Sequence, residues 1–284
     1  MINKNNTKLA VIGLGYVGLP LAVEFGKKFP TIGYDVNDSR INELKFGKDS
    51  TLEITNEEIS CAKQLKFTTN IDDLKSCNIF IITVPTPIDL NKKPDLGPLL
   101  NASELVGSLL KKDDLVIYES TVYPGVTREI LGGICDEIGL IQGEDVYLAF
   151  CPERINPGTE NKVGNIARVI GCDDPEVGVL LADEYGKTTS AGSHYVGKIE
   201  IAEAAKMVEN LQRDIDIALA NELSIVLPKI GVDVEEVLSA AATKWNFHRH
   251  TPGIGVGGHC IPVDPYYYIA LAEKVGHETK ISKA

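Results

Sequence analysis

Residues 257–265 read Gly-Gly-His-Cys-Ile-Pro-Val-Asp-Pro. Cys260 stands between the glycine pair Gly257 and Gly258 and the prolines Pro262 and Pro265, with the carboxylate of Asp264 four residues on. Glycine lets backbone approach a ligand closely, and proline sets φ for a first helical turn. The segment therefore predicts a thiol near a helix N-terminus, where its pKa falls and the thiolate becomes a nucleophile. The competing reading is a small buried hydrophobe, the ordinary fate of a free cysteine. Upstream, Lys206 and Asn210 are four residues apart in a helical pattern and so share one face. An ammonium and an amide placed in this way can donate together to one oxygen, or else belong to a solvated face. The neighbours Ala204, Ala205, Met207 and Val208 leave little of that turn plainly solvent-facing.

The elements that must position these residues are legible from periodicity. Leu9 to Ile12 is an apolar run entering Gly13-Leu14-Gly15-Tyr16-Val17-Gly18, and Leu19 to Lys28 follows as a helix. Strand, glycine turn and helix in this order are the fingerprint of dinucleotide binding. Gly13 makes the tight turn, Gly15 admits the diphosphate, Gly18 lets the helix pack on the strand, and the anion meets the helix N-terminus. A second strand, Thr31 to Tyr34, ends at Asp35, whose carboxylate would take the adenosine ribose hydroxyls and repel a 2′-phosphate. That favours NAD over NADP, with Arg40 nearby as the one contrary sign; a helix N-cap is the alternative role for Asp35. Further strands are expected at Leu65 to Thr68, Ile79 to Val84, Leu115 to Tyr118 and Val146 to Phe150, an alternation that predicts a mostly parallel, doubly wound α/β sheet. Pro85 and Thr86 follow one strand and Thr121 another, at the edge where such folds bind ligands, unless these are ordinary loop residues. A long helix over 199–227 and a shorter one over 234–242 lead into the cysteine segment.

Composition bounds the partners. The chain has 284 residues, 44% hydrophobic and 24% charged, as expected of a soluble globular protein, and its formal net charge of -12 argues against nucleic acid. Six scattered cysteines without a C-x-x-C pair suit a reducing cytosol, and no targeting or membrane segment is evident. A zinc site at His248, His250, His259 and Cys260 would need an unusual spacing, so no metal is expected.

Gly13 to Leu19, Val84-Pro85-Thr86-Pro87, Ser120-Thr121-Val122-Tyr123-Pro124-Gly125, Pro152-Glu153-Arg154, Lys206 with Asn210, and Gly257 to Asp264 together resemble the UDP-glucose/GDP-mannose dehydrogenase family. The order and spacing match over almost the whole chain. Pro152 to Gly158 and Thr243 to Phe247 are most similar to its UDP-N-acetylhexosamine 6-dehydrogenases; the epimer stays open among gluco, galacto and manno. The resemblance implies a Rossmann-like NAD-binding domain over 1–195. It also implies a mainly helical central dimerisation domain over 196–284, built on the long helix and carrying the cysteine.

The resemblance further implies cytoplasmic, NAD-dependent oxidation of a sugar C6 alcohol to a uronic acid for polysaccharide precursors, by a homodimer. Cys260 would form a thiohemiacetal and then a thioester, Lys206 and Asn210 would face the oxyanion, and Asp264 would hold a water. Glu153 would activate the hydrolytic water, Thr121 would serve cofactor and catalysis, and Arg154, Arg249 and Gly257 would contact the substrate. Tyr16, Val17, Arg40, Pro85 and Thr86 join Gly13, Gly15, Gly18 and Asp35 around NAD. Family members continue into a third, UDP-gripping domain, which this chain is expected to lack, so NAD binding with poor turnover is anticipated. The alternatives are a β-hydroxyacid-type dehydrogenase, which would not need Cys260, and a non-catalytic NAD-binding or dimerising remnant.

Overall fold

The structure, a computed structural model, describes residues 7–154, 163–256, 258 and 260–283. The chain divides into two compact units, one of Met1–Asp89 with Pro94–Lys206, the other of Leu90–Lys93 with Met207–Ala284. In the first unit, β1 (Leu9–Ile12), β2 (Thr31–Tyr34), β3 (Leu65–Thr68), β4 (Ile79–Ile82), β5 (Asp114–Tyr118) and β6 (Val146–Phe150) lie where the apolar runs predict strands. Two more, β7 (Arg168–Cys172) and β8 (Ser193–Gly197), were not foreseen. Among the described residues these eight form one sheet in the order β3-β2-β1-β4-β5-β6-β7-β8. The pairings are parallel except β6 with β7, where Ala149 faces Cys172 and Phe150 faces Gly171. The sheet is therefore the expected doubly wound one, extended at one side by an added pair.

The central strands read as unbroken apolar runs because both sheet faces are covered. Along β1, Leu9 and Val11 enter one core while Ala10 and Ile12 enter the other. Ile79 and Ile81 of β4 join the first core, Phe80 and Ile82 the second. The first is closed by α1 (Gly18–Gly26), with α2 (Asp38–Lys45), α3 (Asn56–Cys61) and, later in the chain, a further helix contributing. α4 (Gly97–Gly107) and α5 (Val126–Ile138) cover the second, and α6 (Pro175–Gly186) is the further helix on the first. There Tyr185 of α6 meets Phe25 of α1 edge-to-face at 5.2 Å.

α7 (Ile199–Val226) begins in the first unit, where Ile199 and Ala202 enter the second core, and continues into the second unit. The second unit adds α8 (Val234–Ala241), capped by the Asp233 carboxylate on the amides of Glu235 and Glu236, and α9 (Asp264–Lys274), with Pro265 in its first turn. Among the described residues no helix is long and apolar enough to cross a membrane.

α1 can approach the sheet only because position 18 has no side chain. A Cβ there would sit 1.8 Å from Gly13 O and 2.3 Å from Thr83 Oγ1, whereas one at Gly15 would meet nothing within 4 Å. Gly18→Ala is expected to destabilise the fold by about 3 kcal/mol or more, and Gly15→Ala by no more than about 0.5 kcal/mol, in urea unfolding. Equal stabilities for the two variants would contradict this geometry.

Candidate active site

The strand order reverses between β1 and β4, which opens the crevice where doubly wound sheets bind ligands. Here Gly13 takes φ +92, a left-handed conformation that suits glycine. Its N–H donates to Tyr34 O at 2.8 Å, and Thr83 Oγ1 donates to its carbonyl at 2.7 Å. Leu14 N donates to Asp35 Oδ2 at 2.8 Å, so the carboxylate at the end of β2 also braces the glycine turn. Asp35 does not cap the next helix; Asn37 does, accepting from Ser39 and Arg40.

Arg40 is turned inward. Its Nε donates to Leu14 O at 2.8 Å, and Nη1 pairs with Asp49 at 2.8 Å and with Glu43. Burial would raise the Asp49 carboxyl, but bonds from Thr51, Ile54 and Arg40 leave it below the usual carboxylate range. Gly15 and Tyr16 are exposed at the start of α1, and Val17 is half-buried. The open space over Gly15, the helix start and the Asp35 carboxylate fit the diphosphate and ribose of NAD. A 2′-phosphate would meet Asp35 with Arg40 already committed to other partners.

The next loops are tied to this edge. Ser120 Oγ donates to Val84 O at 2.6 Å, joining the segment that carries Thr121 to the one that carries exposed Pro85 and buried Thr86. Thr121 is half-buried. After β6, Glu153 is buried, and its carbonyl accepts a bond from the ammonium of Lys206, itself only 4% exposed. Lys206 is thus an interior side chain, although Val208 and Glu209 of the same turn are exposed. Arg154 is directed to Ala167 O, 3.0 Å from Nη1.

A cluster that sequence reasoning missed lies behind Glu153. Arg168 Nη1 stands 3.4 Å from Glu119 and 3.5 Å from Glu153, and Tyr185 Oη donates to Glu119 at 2.7 Å. The Arg168 guanidinium also lies over the Tyr185 ring, 5.8 Å from its centroid. The one available signal was Glu119 itself, an acid closing an apolar strand directly before Ser120-Thr121.

In the second unit, the Asn210 amide donates to Asp264, which is almost fully buried at the start of α9. Cys260 is half-buried, and its carbonyl accepts from Val263 N at 3.0 Å and Asp264 N at 2.8 Å, so it precedes α9 by a single turn. Lys206 and Asn210 therefore bond to different protein acceptors. Arg249 is held by Glu235 and Ser239. Gly257 and His259 lie outside the described residues. Among those described, no group of three or more His, Cys, Asp or Glu side chains is arranged to hold a metal.

Burial, opposed by Arg168 and reinforced by the Glu153 carboxyl, pushes the Glu119 carboxyl from 4.5 up to about 7. The folded state binds that proton more tightly than the unfolded chain does. Its stabilising contribution is complete below about pH 4.5 and is lost as pH rises to about 7. Thermal melts between pH 5 and 7.5 should therefore show a steeper fall in Tm for the parent than for Glu119→Gln. Parallel slopes would exclude this assignment.

Residues 7–189 match the UDP-glucose/GDP-mannose dehydrogenase family, NAD binding domain, and residues 200–284 match the family's central domain. The chain is 52% identical over 276 residues to a UDP-N-acetyl-D-glucosamine 6-dehydrogenase of Pseudomonas aeruginosa, covering 96% of this chain and 65% of that protein. It is 37% identical over 274 residues to a UDP-N-acetyl-D-mannosamine dehydrogenase of Pyrococcus horikoshii, covering 94% and 65%. A solved UDP-D-ManNAc dehydrogenase structure from Pyrococcus horikoshii superposes with a TM-score of 0.88 at 34% identity, over 98% of this chain and 66% of that one. The chain thus spans about 65% of the length of the curated relatives it matches. With the NAD binding domain and the central domain matched in order, the chain belongs to the UDP-glucose/GDP-mannose dehydrogenase family.

Proposed function

We propose that this chain bears the NAD site and the catalytic residues for the NAD-dependent oxidation of the C6 alcohol of a UDP-N-acetylhexosamine to the uronic acid, a step toward polysaccharide precursors, with the poor turnover anticipated above. The gluco epimer is favoured, because identity is 52% to a UDP-N-acetyl-D-glucosamine 6-dehydrogenase against 37% to a UDP-N-acetyl-D-mannosamine dehydrogenase. The observation that carries the reading is in the second unit, where Cys260 stands one helical turn before an Asp264 carboxylate held by the Asn210 amide. A β-hydroxyacid-type dehydrogenase has no use for that thiol.

NAD, when bound, accepts the hydride in each of the two oxidations. Gly13, Gly15 and Gly18 with the start of α1 would take the diphosphate, joined by Tyr16 and Val17, while Asp35 would take the adenosine ribose. Pro85 and Thr86, after β4, and Thr121, after β5, would hold its nicotinamide half, on the far side of the crevice from Asp35. The C6 alcohol gives up a proton, steered by Lys206 and a water on Asp264, and a hydride, leaving an aldehyde. Cys260 thiolate adds to the aldehyde carbon, and Lys206 and Asn210 face the resulting oxyanion. Loss of the second hydride gives a thioester. Water activated by Glu153 then adds to the acyl carbon, the C–S bond breaks, and the acid leaves with Cys260 restored as thiolate.

Arg154, Arg249 and Gly257 remain candidates for sugar or diphosphate contacts. A cytosolic homodimer through α7 completes the proposal, supported by the apolar side chains that α7 leaves exposed, Val208, Leu219 and Ile225 among them.

With UDP-N-acetyl-D-glucosamine and NAD, each uronic acid formed should accompany two NADH. Cys260→Ser should slow acid release by on the order of a hundredfold or more, since removal of a covalent nucleophile is rarely compensated. Normal acid turnover by that variant, or a single NADH per product, would refute the covalent four-electron route.

A further inference from the structure

We propose that Glu203 is the positioning residue of the cofactor loop at 120–125, tying it to the helix that carries Lys206. Glu203 is fully buried on α7, three residues before Lys206. Its carboxylate accepts bonds from Gly125 N at 2.7 Å, Thr127 N at 3.3 Å and Thr127 Oγ1 at 2.7 Å. α5 needs this help. Its N-cap is Gly125, left-handed at φ +98 and without a side chain to close the first amides of the helix. A carboxylate 78 residues further along the chain supplies the missing cap and also meets the positive end of the helix.

The other end of the loop is fixed as well. Ser120 Oγ holds Val84 O at 2.6 Å, and Val122 is fully buried. Thr121 therefore lies between two anchors, one on the β4 loop and one on α7. Release of the Gly125 anchor leaves Thr121 to be ordered at the moment of binding, and that entropy is subtracted from affinity. The inference rests on the reading that Thr121 meets the nicotinamide half of NAD. On that reading the loss falls on NAD and spares ADP, which needs only the glycine turn and Asp35.

Glu203→Gln keeps the shape of the side chain but turns an NH2 toward a cluster of donors. The test is calorimetric titration of the purified chain with NAD and with ADP, for the parent, Glu203→Gln and Thr121→Ala. Glu203→Gln should raise the NAD Kd by roughly 5–10-fold, the worth of one or two hydrogen bonds, and leave the ADP Kd within about twofold. Thr121→Ala should show the same selectivity.

If Thr121→Ala weakens NAD selectively and Glu203→Gln does not, the inference is wrong while the reading of the loop stands. Equal loss of NAD and ADP in Glu203→Gln marks a general loosening of the fold and also overturns it. If Thr121→Ala leaves both ligands unchanged, the loop reading fails and the inference with it. Should Glu203→Gln not fold, Thr127→Val removes only the hydroxyl bond; it should cost NAD about two- to threefold and ADP nothing. No change in NAD affinity there is equally decisive against the proposal.

Discussion

At the carboxyl edge of a parallel sheet the strands run out of ladder partners, and each main-chain group there must be closed by something else or left to water. In this chain a row of side chains does the closing. Asp35, after β2, takes the amide of Leu14; Thr83, after β4, donates to the carbonyl of Gly13. Ser120, after β5, donates to Val84 O, Glu203 of α7 takes Gly125 N, and Lys206 donates to Glu153 O after β6. Each bond joins a loop to a neighbouring element, so no segment of the edge is set by its own sequence alone. Such cross-links hold loops in place before a ligand arrives, which is where a site gains most from rigidity.

The same row explains how so acidic a chain accommodates an anionic ligand. With a formal net charge of -12, no long-range field draws a diphosphate in. Attraction has to be local. The exposed start of α1 presents main-chain donors beneath the open space over Gly15, and no mobile cation is required. Cations instead appear inside, each already apportioned. Lys206 serves a carbonyl, while Arg168 is shared between Glu119 and Glu153. Two carboxylates on one guanidinium in a dry interior cannot both stay charged cheaply, and burial beside the Glu153 carboxyl accordingly raises the Glu119 carboxyl to about 7.

What was legible in the sequence was local. Gly13, Gly15 and Gly18 declare themselves because a turn, an approach and a packing contact impose a spacing of two and three residues. Lys206 and Asn210 announce a shared face by a spacing of four, although only burial reveals that they serve different acceptors. The strands β1, β4, β5 and β6 were visible because burial on both faces demands nearly unbroken apolar runs. β7 and β8 were not, since one opens on Arg168 and the other, a half-buried edge strand, on Ser193-His194. Arg168, Tyr185 and Glu203 were invisible for a different reason. Arg168 and Tyr185 meet Glu119, and Glu203 meets Gly125, across 49 to 78 residues, and nothing in a local window marks an acid as the cap of a distant helix.

Arg40 illustrates how such long-range ties also decide selectivity. By sequence it is a cation five residues beyond the ribose-binding acid, a place from which a 2′-phosphate can be gripped. In the folded chain its Nε bonds Leu14 O, inside the glycine turn, and its Nη1 is paired with the buried Asp49. Asp49 is in turn fixed by the amides of Thr51, Glu53 and Ile54, so the guanidinium cannot swing outward without breaking a charged pair in the interior. Freeing one member of such a pair costs about 3–5 kcal/mol, more than a single exposed phosphate contact returns. The bond that keeps the fingerprint loop closed is therefore the bond that withholds Arg40 from a phosphate, and preference for NAD follows from the upkeep of the turn itself.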